Sequence, residues 1–189
     1  MNLPNRLTVA RFVMTAFMVA GLSLDFPLAR TAALILFIAA SLTDWLDGAI
    51  ARKTGSITDF GKLMDPLADK VLVAGAFVAL IPHGMVEAWL VIVVLAREFL
   101  ITGLRLLAAG RGVLLSAAWS GKLKTTFQMI AASLFMLVLA VPEWTPTHAP
   151  APKLLLLPAL VAWYGAVLAA VASGAEVVWK NRALYADTG

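Results

Sequence analysis

Asp44-Trp45-Leu46-Asp47-Gly48-Ala49-Ile50-Ala51-Arg52, then a short polar stretch, then Gly61-Lys62-Leu63-Met64-Asp65-Pro66-Leu67-Ala68-Asp69-Lys70 is the segment on which the architecture turns. Four of the eleven acidic residues of the chain fall here, at the ends of two apolar runs. At 100° per helical residue, Asp44, Asp47 and Ala51 share a sector of about 60°, and Gly61, Asp65 and Asp69 one of about 80°. The nine-residue loop 53–61 makes the two helices antiparallel neighbours, so all four carboxylates can face one space. A lone carboxylate in a bilayer costs several kcal/mol, and four together repel, so a positive partner is required. Gly48 and Ala51 leave room beside the acids for a bulky group, and Arg52 presents a planar fork suited to a phosphate.

Outward from this segment the chain is apolar. Of its 189 residues 61% are hydrophobic and 14% charged, against about 45–50% and about 25% in soluble domains. That balance excludes a soluble enzyme and a disordered chain. At about 20 residues per span the length admits about six crossings. Apolar runs at 7–24, 30–52, 62–82, 86–108, 122–141 and 153–179 are separated by turn-forming breaks at Asp25-Phe26-Pro27, Lys53-Thr54-Gly55-Ser56, Pro82-His83-Gly84, Gly110-Arg111-Gly112 and Pro142-Glu143-Trp144-Thr145-Pro146. The expected fold is an all-α integral membrane protein of six transmembrane helices, a single domain over residues 1–189. Thirteen Lys and Arg residues gather on one side of that arrangement and two, Arg30 and Lys153, on the other. The positive-inside rule therefore puts both termini and the acidic segment on the cytoplasmic side. Arg6 and Arg11 before a short apolar stretch resemble a cleaved leader, but no small-x-small site precedes Asp25, so residues 7–24 are read as a retained span. There is no cysteine, which excludes thiolate chemistry. The net charge of +4 is assigned to basic loops at an anionic leaflet, with no nucleic-acid partner.

Oxygen-only ligands favour a hard cation, Mg²⁺ or Mn²⁺. Four carboxylates could hold two ions, and two ions about 3.5–4 Å apart can clamp the attacking and leaving oxygens of a phosphoryl displacement. Arg105, Lys122 and Lys124 can converge on the same side as a pocket for a phosphorylated second substrate, with Arg97 beside them. The lysines also serve topology at a cytoplasmic helix end. Glu98 and Arg105 lie about 20° apart on the helical wheel and could pair. Asn5 and Thr8 open the first span, as caps or as donors to a ligand. His83 and His148 fall in outer loops and are read as solvated. Trp89, Trp144 and Trp179 stand where an interfacial aromatic belt is expected.

The eight positions Asp44, Asp47, Gly48, Ala51, Arg52, Gly61, Asp65 and Asp69 match, in identity and spacing, the signature D-x-x-D-G-x-x-A-R-x(8)-G-x(3)-D-x(3)-D. By it the chain resembles the CDP-alcohol phosphotransferases. The resemblance implies a divalent-metal-dependent membrane enzyme of six helices, usually a homodimer. It implies that Asp44, Asp47 and Asp65 hold metal and that Asp69 both contributes to the metal site and acts as general base. Asn5, Thr8, Asp47, Gly48, Ala51, Arg52 and Gly61 would line the CDP site. Leu3-Pro4-Asn5-Arg6-Leu7-Thr8-Val9-Ala10-Arg11, Ala96-Arg97-Glu98-Phe99 with Leu104-Arg105, and Gly121-Lys122-Leu123-Lys124-Thr125 with Gln128 further resemble the phosphatidylglycerophosphate synthase subfamily. That subfamily transfers a phosphatidyl group from CDP-diacylglycerol to glycerol 3-phosphate, which implies a bacterial inner-membrane location and makes Arg97, Arg105, Lys122 and Lys124 the acceptor-phosphate residues. Two rival readings stand beside it: the same chemistry with another acceptor such as inositol phosphate, and an ion-coupled transporter using the intramembrane carboxylates.

Overall fold

The computed structural model describes residues 3–54, 59–112, 119–144 and 153–182, with side chains for 5–43, 64–112, 121, 123–144 and 153–182. Among the described residues six α-helices follow one another: α1 Leu3–Ser23, α2 Ala29–Thr54, α3 Asp59–Leu80, α4 Ala88–Gly110, α5 Trp119–Ala140 and α6 Lys153–Lys180. A 3-10 turn, Val141–Trp144, extends α5. Among the described residues there is no strand. Three segments, Asn5–Ser23, Leu123–Trp144 and Lys153–Lys180, are long and apolar enough to cross a membrane, and Ala29–Thr43 is a shorter apolar helix. The protein is therefore a membrane protein.

Each apolar run of the sequence coincides with a helix, but the helix ends lie elsewhere. α1 begins at Leu3, and α2 and α3 continue to Thr54 and from Asp59, so the connection expected over 53–61 shrinks to residues 55–58, which lie outside the described residues. At these ends hydropathy marks where lipid ends, whereas the helix carries its own hydrogen-bond ladder on into the polar interface.

Hydrogen bonds between helices fix an up-and-down order. At one end Thr8 of α1 meets Asp65 of α3, Lys70 of α3 meets Thr102 of α4, Lys124 of α5 meets Glu98 of α4, and Arg97 of α4 meets Ser173 of α6. At the opposite end Glu143 caps α2. Its Oε1 accepts the Arg30 N–H at 3.0 Å and its Oε2 the Thr31 N–H at 2.9 Å, a carboxylate placed where the helix dipole is positive. Trp163 Nε1 and the Tyr164 hydroxyl both donate to Glu87, at 3.1 and 2.6 Å, tying α6 to the start of α4. His83 is not simply solvated as its loop position suggested: its Nε2 donates to the Leu22 carbonyl at 2.7 Å, joining the α3–α4 turn to the end of α1. His148 lies outside the described residues. The Pro82-His83-Gly84 break turns at Gly84, whose φ of +68° a side chain would resist.

The core is built from Met18, Phe37, Leu72, Phe77, Phe135 and Trp163, interleaved with fully enclosed alanines such as Ala33, Ala76, Ala131 and Ala170. Phe77 and Trp163 stack at 4.6 Å between centroids. In lipid there is no hydrophobic gain from helix association, so close packing over small residues must supply it. The large apolar side chains that remain uncovered, Phe17, Ile92, Phe99, Leu154 and Leu168 among them, belong on the lipid face. Trp89, Trp144 and Trp179 are all exposed, as an interfacial belt requires.

Gly21 marks the tightest approach of α1 to α2: a Cβ there would stand 2.8 Å from the Ala29 carbonyl oxygen and 3.3 Å from the Ala33 Cβ. Backbone cannot yield as a side chain does. Gly21→Ala is expected to lower stability by about 1–3 kcal/mol, read as a reduced midpoint of thermal unfolding in detergent.

Candidate active site

Asp65 and Asp69 are four residues apart on α3 and so share one helix face. Thr8, one of the first turns of α1 and only 1% exposed, donates its hydroxyl to Asp65 Oδ1 at 2.5 Å. Since α1 begins at Leu3, Thr8 sits inside the helix and does not cap it. Asn5, also in α1, is half-buried at the same end. Asp44, Asp47, Gly48, Ala51 and Arg52 lie on the last turns of α2, Gly61 on the first turn of α3 and Lys122 on α5. The side chains of these seven fall outside the described residues.

Asp69 opens onto a cleft of about 480 Å³ whose polar lining includes Lys70, Arg97, Glu98, Arg105 and Lys124. Helices α3, α4 and α5 each supply charged groups to it, and Val177 of α6 closes one side. A smaller cavity of about 60 Å³ runs inward from Asp69, Glu98 and Lys124 to Gln128 and Trp163. The cleft therefore brings together Asp69, Arg97, Arg105 and Lys124 of the residues singled out in the sequence.

Glu98 organises the basic side. Its Oε1 accepts Arg97 Nη1 at 2.9 Å and Lys124 Nζ at 2.5 Å. Lys124 is only 5% exposed, and Glu98 is the carboxylate its ammonium bonds, with Asp69 adding to the compensation. Arg97 Nη2 donates to Ser173 Oγ at 2.9 Å. Lys70 Nζ donates to Thr102 Oγ1, and the Thr102 hydroxyl donates to the Glu98 carbonyl at 2.7 Å. The pairing of Glu98 with Arg105 suggested by the helical wheel gives way to these partners, and Arg105 is exposed at the rim. Seven residues correspond to about 10 Å along a helix axis, so a lysine on the neighbouring helix comes closer than an arginine two turns away on the same one. Four cations, Lys70, Arg97, Arg105 and Lys124, face two carboxylates, Asp69 and Glu98. The surplus of positive charge suits a phosphate dianion, and the adjacent carboxylate suits a proton acceptor.

The sequence left several residues of this end unassigned. Arg11, which the sequence places in the stretch 3–11 without a site role, is fully buried in α1 beside the Thr8 turn. Gln128, Ser173 and Gly174 likewise carried no assigned role. Ser173-Gly174 is a pair of small residues inside the largely apolar run of α6, a signal that a helix contact can give.

With this geometry in view, comparison with known proteins gives a consistent result. The sequence profile described as CDP-alcohol phosphatidyltransferase matches residues 1–171. The chain belongs to the CDP-alcohol phosphatidyltransferase family. It is 45% identical over 148 residues to the CDP-diacylglycerol–glycerol-3-phosphate 3-phosphatidyltransferase of Bacillus subtilis (strain 168), covering 72% of this chain and 77% of that one. It is 41% identical over 136 residues to the enzyme of the same name from Rickettsia bellii (strain RML369-C), covering 72% and 75%. It is 40% identical over 144 residues to a probable phosphatidylglycerophosphate synthase of Mycobacterium tuberculosis (strain ATCC 25618 / H37Rv), covering 75% and 68%.

The two kinds of ion pair in the molecule should respond differently to loss of charge. Glu98→Gln removes the part-buried carboxylate shared by Arg97 and Lys124 and is expected to cost about 3–5 kcal/mol. Glu176→Gln, which breaks the solvent-facing Glu176–Lys180 pair of α6, is expected to cost under about 1 kcal/mol. Thermal unfolding of both variants in the same detergent checks the contrast.

Proposed function

We propose that this enzyme transfers the phosphatidyl group of CDP-diacylglycerol to glycerol 3-phosphate, giving phosphatidylglycerophosphate and CMP. The observation that carries the proposal is the single cleft in which Asp69 stands beside Arg105 and Lys124. A carboxylate that can take a proton lies next to cations that can hold a phosphate-bearing acceptor. The names of the relatives supply the identity of both substrates.

Asp69 accepts the proton of the primary hydroxyl of glycerol 3-phosphate. That oxygen bonds to the phosphorus bearing diacylglycerol, the bond from this phosphorus to the CMP oxygen breaks, and CMP departs. Lys124 and Arg105 hold the acceptor's own phosphate, and Lys122 stands with them in the proposal. Asn5, Thr8, Gly48, Ala51, Arg52 and Gly61 form the CDP side, with Arg52 neutralising the pyrophosphate.

Asp44, Asp47, Asp65 and Asp69 would hold a divalent metal, Mg²⁺ or Mn²⁺, as two ions. The donor set fits: Asp65 and Asp69 offer only carboxylate oxygen, and Thr8 holds one Asp65 oxygen in place as an outer hydrogen-bond partner of a metal ligand would. Among the described residues there is no cluster of three or more such ligands; the proposal takes its other two acids from α2, whose side chains lie outside the described residues. When bound, the ions supply neutralisation of the pyrophosphate charge.

The proposal extends to topology and assembly. All six helices span the bilayer as one domain over residues 1–189, both termini are cytoplasmic, and the site opens on the cytoplasmic side of a bacterial inner membrane. Support comes from the distribution of Lys and Arg. The lipid substrate enters sideways from the bilayer, and the enzyme works as a homodimer in contact with membrane lipid.

The test is CMP release from protein reconstituted in vesicles with CDP-diacylglycerol and Mg²⁺, offered glycerol 3-phosphate, inositol phosphate or serine in turn. Glycerol 3-phosphate is expected to dominate, and a preference for either of the others overturns the acceptor assignment. Chelation with EDTA should abolish release, and Asp69→Asn should lower kcat by about 10²–10⁴-fold. Thr8→Val removes the donor to Asp65 and should raise the Mg²⁺ concentration for half-maximal activity by about 10-fold or more.

A further inference from the structure

Ser173 and Gly174 of α6 lie just beyond the 171 residues that the family profile covers. Both touch the same side chain. Ser173 is fully buried and its Oγ accepts Arg97 Nη2 at 2.9 Å while donating to the Ala170 carbonyl at 3.2 Å. At Gly174 a Cβ would stand 3.0 Å from Arg97 Cγ and 3.9 Å from its Nε. The glycine is thus a slot in α6 through which the arginine stem passes, and the serine is the acceptor at the end of it.

Arg97 turns its nitrogens toward protein. Nη1 is committed to Glu98, Nη2 to Ser173, and Nε is enclosed with no acceptor within reach. A guanidinium so engaged has no fork left over for a bidentate grip on phosphate. What it does instead is hold Glu98, and Glu98 in turn holds the Lys124 ammonium at the wall of the acceptor cleft. The chain of contacts runs from α6 to α4 to α5 and ends on a cation that faces the cleft.

We propose that Ser173 and Gly174 are positioning residues for the acceptor's phosphate, acting through Arg97 and Glu98 to set Lys124. This rests on the glycerol 3-phosphate reading, since it presumes a phosphorylated acceptor in the cleft. It makes α6, which contributes no residue to the signature, a determinant of acceptor affinity and not of nucleotide or metal binding.

Steady-state kinetics on the full-length protein in vesicles test it, with inorganic phosphate as a competing probe. Ser173→Ala should raise KM for glycerol 3-phosphate by about 5–20-fold, a loss of about 1–2 kcal/mol, and raise the inhibition constant of inorganic phosphate by the same factor. The KM for CDP-diacylglycerol and the half-maximal Mg²⁺ should stay within about twofold of wild type. Gly174→Ala should give the same pattern. In an Arg97→Lys background, Ser173→Ala should add less than a twofold further change, because its effect passes through the arginine. Unchanged KM for the acceptor, equal rises for both substrates, or effects that multiply with Arg97→Lys would overturn the proposal. Should Gly174→Ala fail to fold, Ser173→Ala, which removes a single oxygen, and its cycle with Arg97→Lys decide alone. Wild-type protein that shows no turnover with glycerol 3-phosphate sinks the function itself, whereas an active wild type with unaltered variant ratios sinks only this inference.

Discussion

Charge compensation at one end of a helical bundle in lipid is the constraint to which the rest of this molecule answers. A carboxylate in an apolar surrounding is tolerated only with a donor or cation against it. Glu98 meets the requirement with Arg97 and Lys124, and Asp65 begins to meet it with Thr8. Lys124 and Thr8 come from helices other than those of the carboxylates they meet, so satisfying the charges also aligns the helices. Polar contacts of this kind are worth only modest energies in membranes, because the separated helices find other partners. Their consequence is register: they specify which turn of α4 faces which turn of α3, α5 and α6.

The opposite end is clamped by other means. Glu143 caps the start of α2, the Trp144 indole donates to Thr31 at 2.8 Å, and Glu87 receives both Trp163 and Tyr164. Between the two ends alanines and large side chains alternate around Phe77 and Trp163. The bundle is tied by side-chain hydrogen bonds at one end and carries the charged cleft at the other. Such an arrangement holds the cleft walls to a fixed spacing without requiring that the cleft itself be filled with side chains.

Much of this was legible in the residues. Six apolar runs separated by proline, glycine and charged breaks gave six helices, because in lipid an apolar run has no stable alternative to the helix. The shared face of Asp65 and Asp69 follows from helical periodicity, and Asp69, Arg97, Arg105 and Lys124 are found around one cleft. What periodicity could not supply was translation along the axis. It placed Glu98 and Arg105 on one face, but two turns separate them, and Lys124 from α5 takes the carboxylate instead. Nor could it see that Ser173 and Gly174 accommodate Arg97, since that contact joins residues 76 apart in the chain. Helix ends were misplaced for a related reason: the polar turns that flank an apolar run read as loop until the ladder that continues through them is seen.

The position of Asp69 shows how the two halves of the site are coupled. It lies on the α3 face shared with Asp65, and it also lines the basic cleft of α4 and α5. Only a narrow range of α3 rotations allows one residue to do both. The adjacent Lys70 fixes that rotation by reaching Thr102, whose hydroxyl is in turn bonded to the Glu98 carbonyl one turn earlier on α4. The residue that anchors Lys124 through its side chain thus anchors α3 through its backbone. A shift of α4 along its axis would move the acid and the cation together and preserve their separation. In the proposed reaction a hydroxyl loses its proton while the phosphate of the same small molecule is held nearby, so that separation is the quantity to be conserved, and both groups are tied to one turn of α4.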